Sequence, residues 1–163
     1  MNAKEAIRQT FTMSVHVLKT YFADLSDAEL LKRPGTGCNH LAWQLGHLIA
    51  SECQLLDAIK PGAAPELPAG FAAMHSKETV GIDDPTKFCT KQQYLELIDK
   101  VNSASLAALD RFSEADLDQP SPENFRKMFP TMGALFILIA THPMMHAGQF
   151  VPVRRALGKP IVI

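Results

Sequence analysis

Thr141-His142-Pro143-Met144-Met145-His146-Ala147-Gly148-Gln149-Phe150 is the stretch on which the reading of this chain turns. Its two histidines stand four residues apart, and on an α-helix positions i and i+4 lie one above the other on the same face. Two imidazoles at that spacing can grip one metal ion, as paired histidines do on the helices of zinc peptidases. No Glu follows the first His, so this is not the peptidase motif.

Working outward, Met132, Leu135, Ile139, His142, His146, Gln149, Val153 and Ala156 follow alternating steps of three and four. That is the stripe of a helix packed inside a bundle, and it puts both histidines toward the core. A buried imidazole needs partners for its nitrogens. A metal is one such partner; a Glu, a Ser or a backbone carbonyl is another, and the pair alone does not choose between them. Pro143 removes the hydrogen bond to the Ile139 carbonyl, and Pro152 removes the one to Gly148. The expectation is a bend between the two histidines, or a helix that breaks and restarts there. Arg154-Arg155-Ala156-Leu157-Gly158 ends the helix, with basic residues near its negative pole and Gly as the C-cap.

The 163 residues are 47% hydrophobic and 20% charged, which suits one domain, residues 1–163, with a proper core. A net charge of -1 and the lack of a basic stripe argue against a nucleic-acid partner. Met1-Asn2-Ala3-Lys4-Glu5 has no apolar signal region. The most apolar run, Met132 to Ala140, is far shorter than the ~20 residues a membrane span requires, so no membrane association is expected. Three widely spaced cysteines, Cys38, Cys53 and Cys89, suit a reducing cytoplasm better than a disulfide framework.

Helical signals then follow in order. Ile7, Phe11, Ser14, Leu18 and Phe22 give a first helix over about 3–22. Ser26 with Glu29 forms a capping box, and Pro34-Gly35-Thr36-Gly37 stops the short turn it starts. Asn39 is the expected N-cap of a second helix running to about Ile59, with Leu41, Leu45, Leu48, Leu55 and Ile59 inward. Residues 61–89 are rich in Pro, Ala and Gly and suit a crossover along a bundle. Thr90 with Gln93 caps a third helix to about Phe112, and Thr131 opens the fourth. Phe112-Ser113-Glu114-Ala115-Asp116-Leu117 repeats the pattern of Leu25-Ser26-Asp27-Ala28-Glu29-Leu30 after 87 residues. Either the chain has two related halves, or a common helix start occurs twice by chance.

His47, just off the second-helix stripe and flanked by small Gly46, Ala50 and Ser51, is the candidate third ligand beside His142 and His146. Three imidazoles suit zinc, nickel, iron or copper, and zinc on three protein ligands keeps a fourth position open for water or substrate. Gln149 and Gln44 lie three residues from a candidate ligand and are placed to hydrogen-bond its second nitrogen, or else are polar residues at a seam. Trp43, four before His47, is a core residue or a wall of the site, and His40 lines a pocket mouth or lies on the surface near a cap. His75, in the crossover, has no evident role, and Met144 and Met145 read as packing residues.

Asn39-His40-Leu41-Ala42-Trp43-Gln44-Leu45-Gly46-His47-Leu48 resembles the second-helix signature of the DinB-like (damage-inducible) superfamily, with its Trp-x-x-Gly-His-Leu core. His142-Pro143-Met144-Met145-His146-Ala147-Gly148-Gln149 resembles the His-x-x-x-His-x-Gly-Gln element of the same superfamily, and Val153-Arg154-Arg155-Ala156-Leu157-Gly158 resembles its close. The resemblance implies an all-α four-helix bundle of up-down-down-up topology, with a long crossover between helices two and three. It implies a divalent metal, zinc first and nickel or iron after it, on His47, His142 and His146, and a homodimer. Characterised members include transferases and isomerases that use small thiols such as bacillithiol and mycothiol. The implied activity is therefore metal-dependent thiol transfer or isomerisation on an electrophilic small molecule, with hydrolysis as another metal-dependent chemistry. A non-catalytic, metal-stabilised bundle that dimerises or binds a partner in a stress response is the rival expectation.

Overall fold

Capping chemistry sets where the helices of this chain start. In the computed structural model, which describes residues 1–161, α1 spans Ala3–Phe22, α2 Asp27–Leu30, α3 Leu41–Ile59, α4 Phe71–Met74, α5 Lys91–Asp110, α6 Glu114–Leu117, α7 Glu123–Arg126 and α8 Met132–Ala156. Asn2, Ser26, Thr90 and Ser113 each close a capping box, with Glu5, Glu29, Gln93 and Asp116 respectively. Each such cap stabilises its helix by about 1 kcal/mol. Both copies of the Ser-acid-Ala-acid pattern form four-residue helices, and both end on a buried leucine, Leu30 and Leu117.

The four long helices α1, α3, α5 and α8 form the bundle, and no strand occurs among the described residues. Direction is fixed by contacts at the ends. The Arg154 guanidinium near the end of α8 binds Asp24 just past the end of α1, so these helices run parallel. The backbone N–H groups of Ala3 and Lys4 meet the Glu114 carboxylate beyond the end of α5, so α5 runs opposite to α1. The ends of α3 and α5 share a cleft between Lys60 and Arg111, so those two run together. The result is up-down-down-up. The crossover from α3 to α5 holds only α4 and two 3₁₀ turns, Lys77–Thr79 and Pro85–Lys87.

One core cluster draws on all four long helices. The expected inward residues of α1, Ile7, Phe11, Ser14, Leu18 and Phe22, are all buried. α8 is buried along two sides: Phe136, Ala140, Pro143, Ala147 and Phe150 add a second stripe to Leu135, Ile139, His146 and Val153. Its most extensive packing is against α1. At 25 residues α8 is long and apolar enough to cross a membrane by length and composition, which corrects the short estimate based on Met132 to Ala140. In the bundle it is a core helix.

Three readings are corrected locally. α8 continues through Pro143 and Pro152 as one helix, so the break-and-restart alternative fails. His40, not Asn39, caps α3: its Nδ1 accepts the Trp43 N–H at 3.0 Å. Arg154, expected only to complement the helix dipole, is wholly buried. Its guanidinium donates to both Asp24 oxygens at 2.5 and 3.1 Å and to the Tyr21 and Pro160 carbonyls.

Candidate metal centre

The site lies where the middle of α8 faces the first half of α3. His142 and His146, one turn apart, hold their ring centroids 4.9 Å apart. The His47 ring sits 5.5 Å from the first and 5.6 Å from the second. One ring nitrogen from each lies within 4.8 Å of the others, a spread that small side-chain rotations close to metal–nitrogen bonds of ~2.0–2.1 Å. Among the described residues no Cys, Asp or Glu joins this cluster. Three residues from helices far apart in sequence therefore converge, leaving the remaining coordination positions of any ion there to water or ligand.

Protonation favours the same use. Burial, and then the charge of His47, pushes His142 down to about 4. Burial, followed by His142 and His47, pushes His146 down to about 3. Burial and then Lys77 lower His47. All three imidazoles are neutral at pH 7, and a neutral imidazole is the form that donates a lone pair.

Gln44 settles which nitrogen of His146 faces the centre. Its amide nitrogen donates to the Asn39 carbonyl at 2.8 Å, so its Oε1 is the end turned to His146. There Oε1 accepts from Nδ1 at 3.1 Å. With Nδ1 carrying the hydrogen, Nε2 holds the free lone pair. Trp43 lies flat on His47, 5.1 Å between centroids and 7° between planes. Its indole N–H donates to Ser76 O at 3.2 Å and Thr79 Oγ1 at 3.1 Å, which fixes the ring that His47 leans on.

The sequence profile of a family described as the DinB superfamily matches residues 10–150. The chain belongs to the DinB superfamily. A solved structure, the crystal structure of a conserved protein of a locus from Enterococcus faecalis, superposes with a TM-score of 0.72 over 98% of this chain and 99% of that one, at 18% identity. That likeness shows the fold alone. No curated protein matches the sequence.

Two other histidines of this DinB-superfamily chain are buried for a different reason. His40, expected at a pocket mouth or on the surface, is wholly buried: it caps α3 through Nδ1 and donates from Nε2 to Ile82 O at 3.0 Å. His75, without an evident role in the sequence, donates from Nδ1 to Phe71 O at 2.8 Å and accepts from the Tyr94 hydroxyl at 2.9 Å. Its ring lies directly on Gly46, where an added Cβ would stand 2.0 Å from it. Only glycine lets the crossover approach α3 this closely. The one hint in sequence was Gly46 itself, a glycine inside an otherwise strong helix.

Gln149 does not reach the site. It is exposed and makes no hydrogen bond to the three histidines. Past His146 the buried face of α8 continues through Ala147, Phe150, Val153 and Arg154 and leaves Gln149 outside it. Met144 and Met145 are exposed rather than packed in the core. Beside His47 a pocket of about 520 Å³ opens between α3 and the crossover, lined among others by Ser51, Gln54, His75, Lys77 and Glu78.

Proposed function

We propose that this protein is a divalent-metal-dependent enzyme, with zinc as its first candidate metal and nickel or iron after it, that transfers a small-molecule thiol to an electrophile or uses it in isomerisation. The observation that carries the reading is the convergence of three neutral imidazoles with no acidic or thiolate partner among them. Closed structural sites use four protein ligands, whereas three leave room for a reactant. A divalent ion bound there supplies Lewis acidity and stabilises a thiol as its thiolate at neutral pH.

The chain's own contribution is positional. Gln44 holds His146 in the tautomer that presents Nε2. Trp43 covers one face of His47 and keeps water from it. The pocket beside His47 admits the reactant from the crossover side. The cysteines are no part of this: Cys53 is buried, its thiol pushed up to about 12 by burial.

A second reading has its own support. His47 and the His142–His146 pair tie α3 to α8, so a bound ion also staples the two ends of the chain, as in a non-catalytic metal-stabilised bundle. Turnover separates the two. His146→Ala, assayed with thiol and electrophile, is expected to lose metal and turnover together; full turnover without metal overturns the catalytic reading.

The same proposal includes a homodimer in a reducing cytoplasm. It is supported by an uncharged strip of exposed Met13, Ile137, Met144 and Met145 along α1 and α8, and by three free cysteines. Light scattering of Met145→Glu tests it: dissociation is expected, and a wild-type protein that is monomeric at high concentration refutes it.

A further inference from the structure

The 520 Å³ pocket beside His47 is lined by a cation, Lys77, that forms no ion pair among the described residues. Lys77 opens the first 3₁₀ turn of the crossover, and that turn is pinned to α3 from both sides. Trp43 donates to Ser76 O and Thr79 Oγ1, and Thr79 in turn donates to Met74 O at 2.6 Å. Just before it, His75 is clamped between Gly46, Phe71 and Tyr94. The backbone at Lys77 is thus held firmly over α3, on the pocket that His47 also lines.

Lys77 forms no ion pair with any carboxylate among the described residues, whereas Arg8, Lys19, Arg33, Arg154 and Lys159 each do. The pocket's one acid, Glu78, is exposed; hydrogen bonding from Ser76, and to a smaller extent the charge of Lys77, lower its carboxyl, but the two side chains form no ion pair. Three neutral imidazoles cancel none of a divalent ion's charge. With Lys77 at +1 and Glu78 at -1, a loaded site carries a net charge near +2, a field that favours an anionic reactant. The rest of the lining, Ala50, Ser51, Gln54 and Ala72, is small or neutral and suits a short, polar molecule.

We propose that Lys77 is a specificity residue: it receives a carboxylate on the small-molecule thiol whose sulfur reaches the three-histidine centre. The inference rests on the metal reading above, and its test separates the two. Cobalt(II)-loaded protein is titrated with 3-mercaptopropionate and with its methyl ester, which differ at the far end in charge and by one methyl group, and the sulfur-to-cobalt charge-transfer band is followed. Wild-type protein is expected to hold the acid roughly fivefold to tenfold more tightly, a preference of about 1 kcal/mol that weakens with salt. Lys77→Met should cut the preference at least threefold with the cobalt ligand-field spectrum unchanged, and Lys77→Arg should keep most of it. Equal binding of acid and ester by wild type, or a preference undiminished in Lys77→Met, overturns the subsite and leaves the metal site standing. Failure to take up cobalt at all overturns the three-histidine reading and this inference with it.

Discussion

His40 and His47 lie seven residues apart at the start of the same helix, yet they do opposite things. His40 is sealed in the interior with both ring nitrogens spent, one on the Trp43 N–H and one on the Ile82 carbonyl. His47 is half-buried, and its nearest polar neighbours are two more imidazoles and a Ser51 hydroxyl 3.5 Å away. His75 belongs with the first, His142 and His146 with the second. Burial alone therefore does not mark a functional histidine. What marks it is a ring lone pair that faces two other imidazoles, with no closer protein donor than the Ser51 hydroxyl at 3.5 Å from His47.

The sharpest way to break this division is substitution across it. His146→Ala should weaken divalent-metal binding by a hundredfold or more while costing the metal-free protein little. His75→Ala should leave metal affinity within a few fold and cost about 3 kcal/mol of stability, because it orphans the Tyr94 hydroxyl and leaves a cavity over Gly46. Chelator competition and urea unfolding in EDTA measure the two sides; a reversed pattern refutes the assignment. Gly46→Ala probes the same clamp from below. A Cβ 2.0 Å from the His75 ring cannot be accommodated in place. A loss of about 2–3 kcal/mol in urea unfolding is expected, with metal still bound.

Gln44→Leu sharpens the ligand side. It removes the acceptor that fixes the His146 tautomer and should cost roughly tenfold to a hundredfold in metal affinity, with little change in fold by circular dichroism. The remaining test is a pH dependence. His142 and His146 titrate in the folded state near 4 and 3, below their ordinary value of 6.5. Between these limits the unfolded chain binds protons that the folded chain refuses. Stability of the metal-free protein should accordingly be full above about pH 6.5 and fall as pH drops toward 4. In His142→Ala/His146→Ala that acid slope should flatten, which urea midpoints across this range would show.

How much of this was legible in the residues depended on how local each signal was. Capping boxes are read within four positions, and Ser26, Thr90 and Ser113 placed their helices correctly. The His142–His146 pair is likewise one turn of helix. His47 could be attached through its small neighbours and the family resemblance, although the reason for Gly46 turned out to be the ring of His75 as well. His75 itself was illegible, since its partner Tyr94 is nineteen residues away across a segment with no period. Arg154 was read as an end-of-helix cation because that explanation suffices without tertiary contacts; its carboxylate, Asp24, is 130 residues distant. Asn39 lost the cap to His40 because side-chain geometry, not propensity, decided it. Gln149 fits the three-four stripe on paper, but the stripe is not continuous: Val153 beyond it is buried while Gln149 is exposed.

The most direct measurement is the metal content of the untagged protein by inductively coupled plasma mass spectrometry, before and after loading and in His146→Ala. The account predicts about one divalent ion per wild-type chain and close to none in the variant. Wild-type protein that neither retains nor takes up an ion, or a variant that holds as much as wild type, would contradict it.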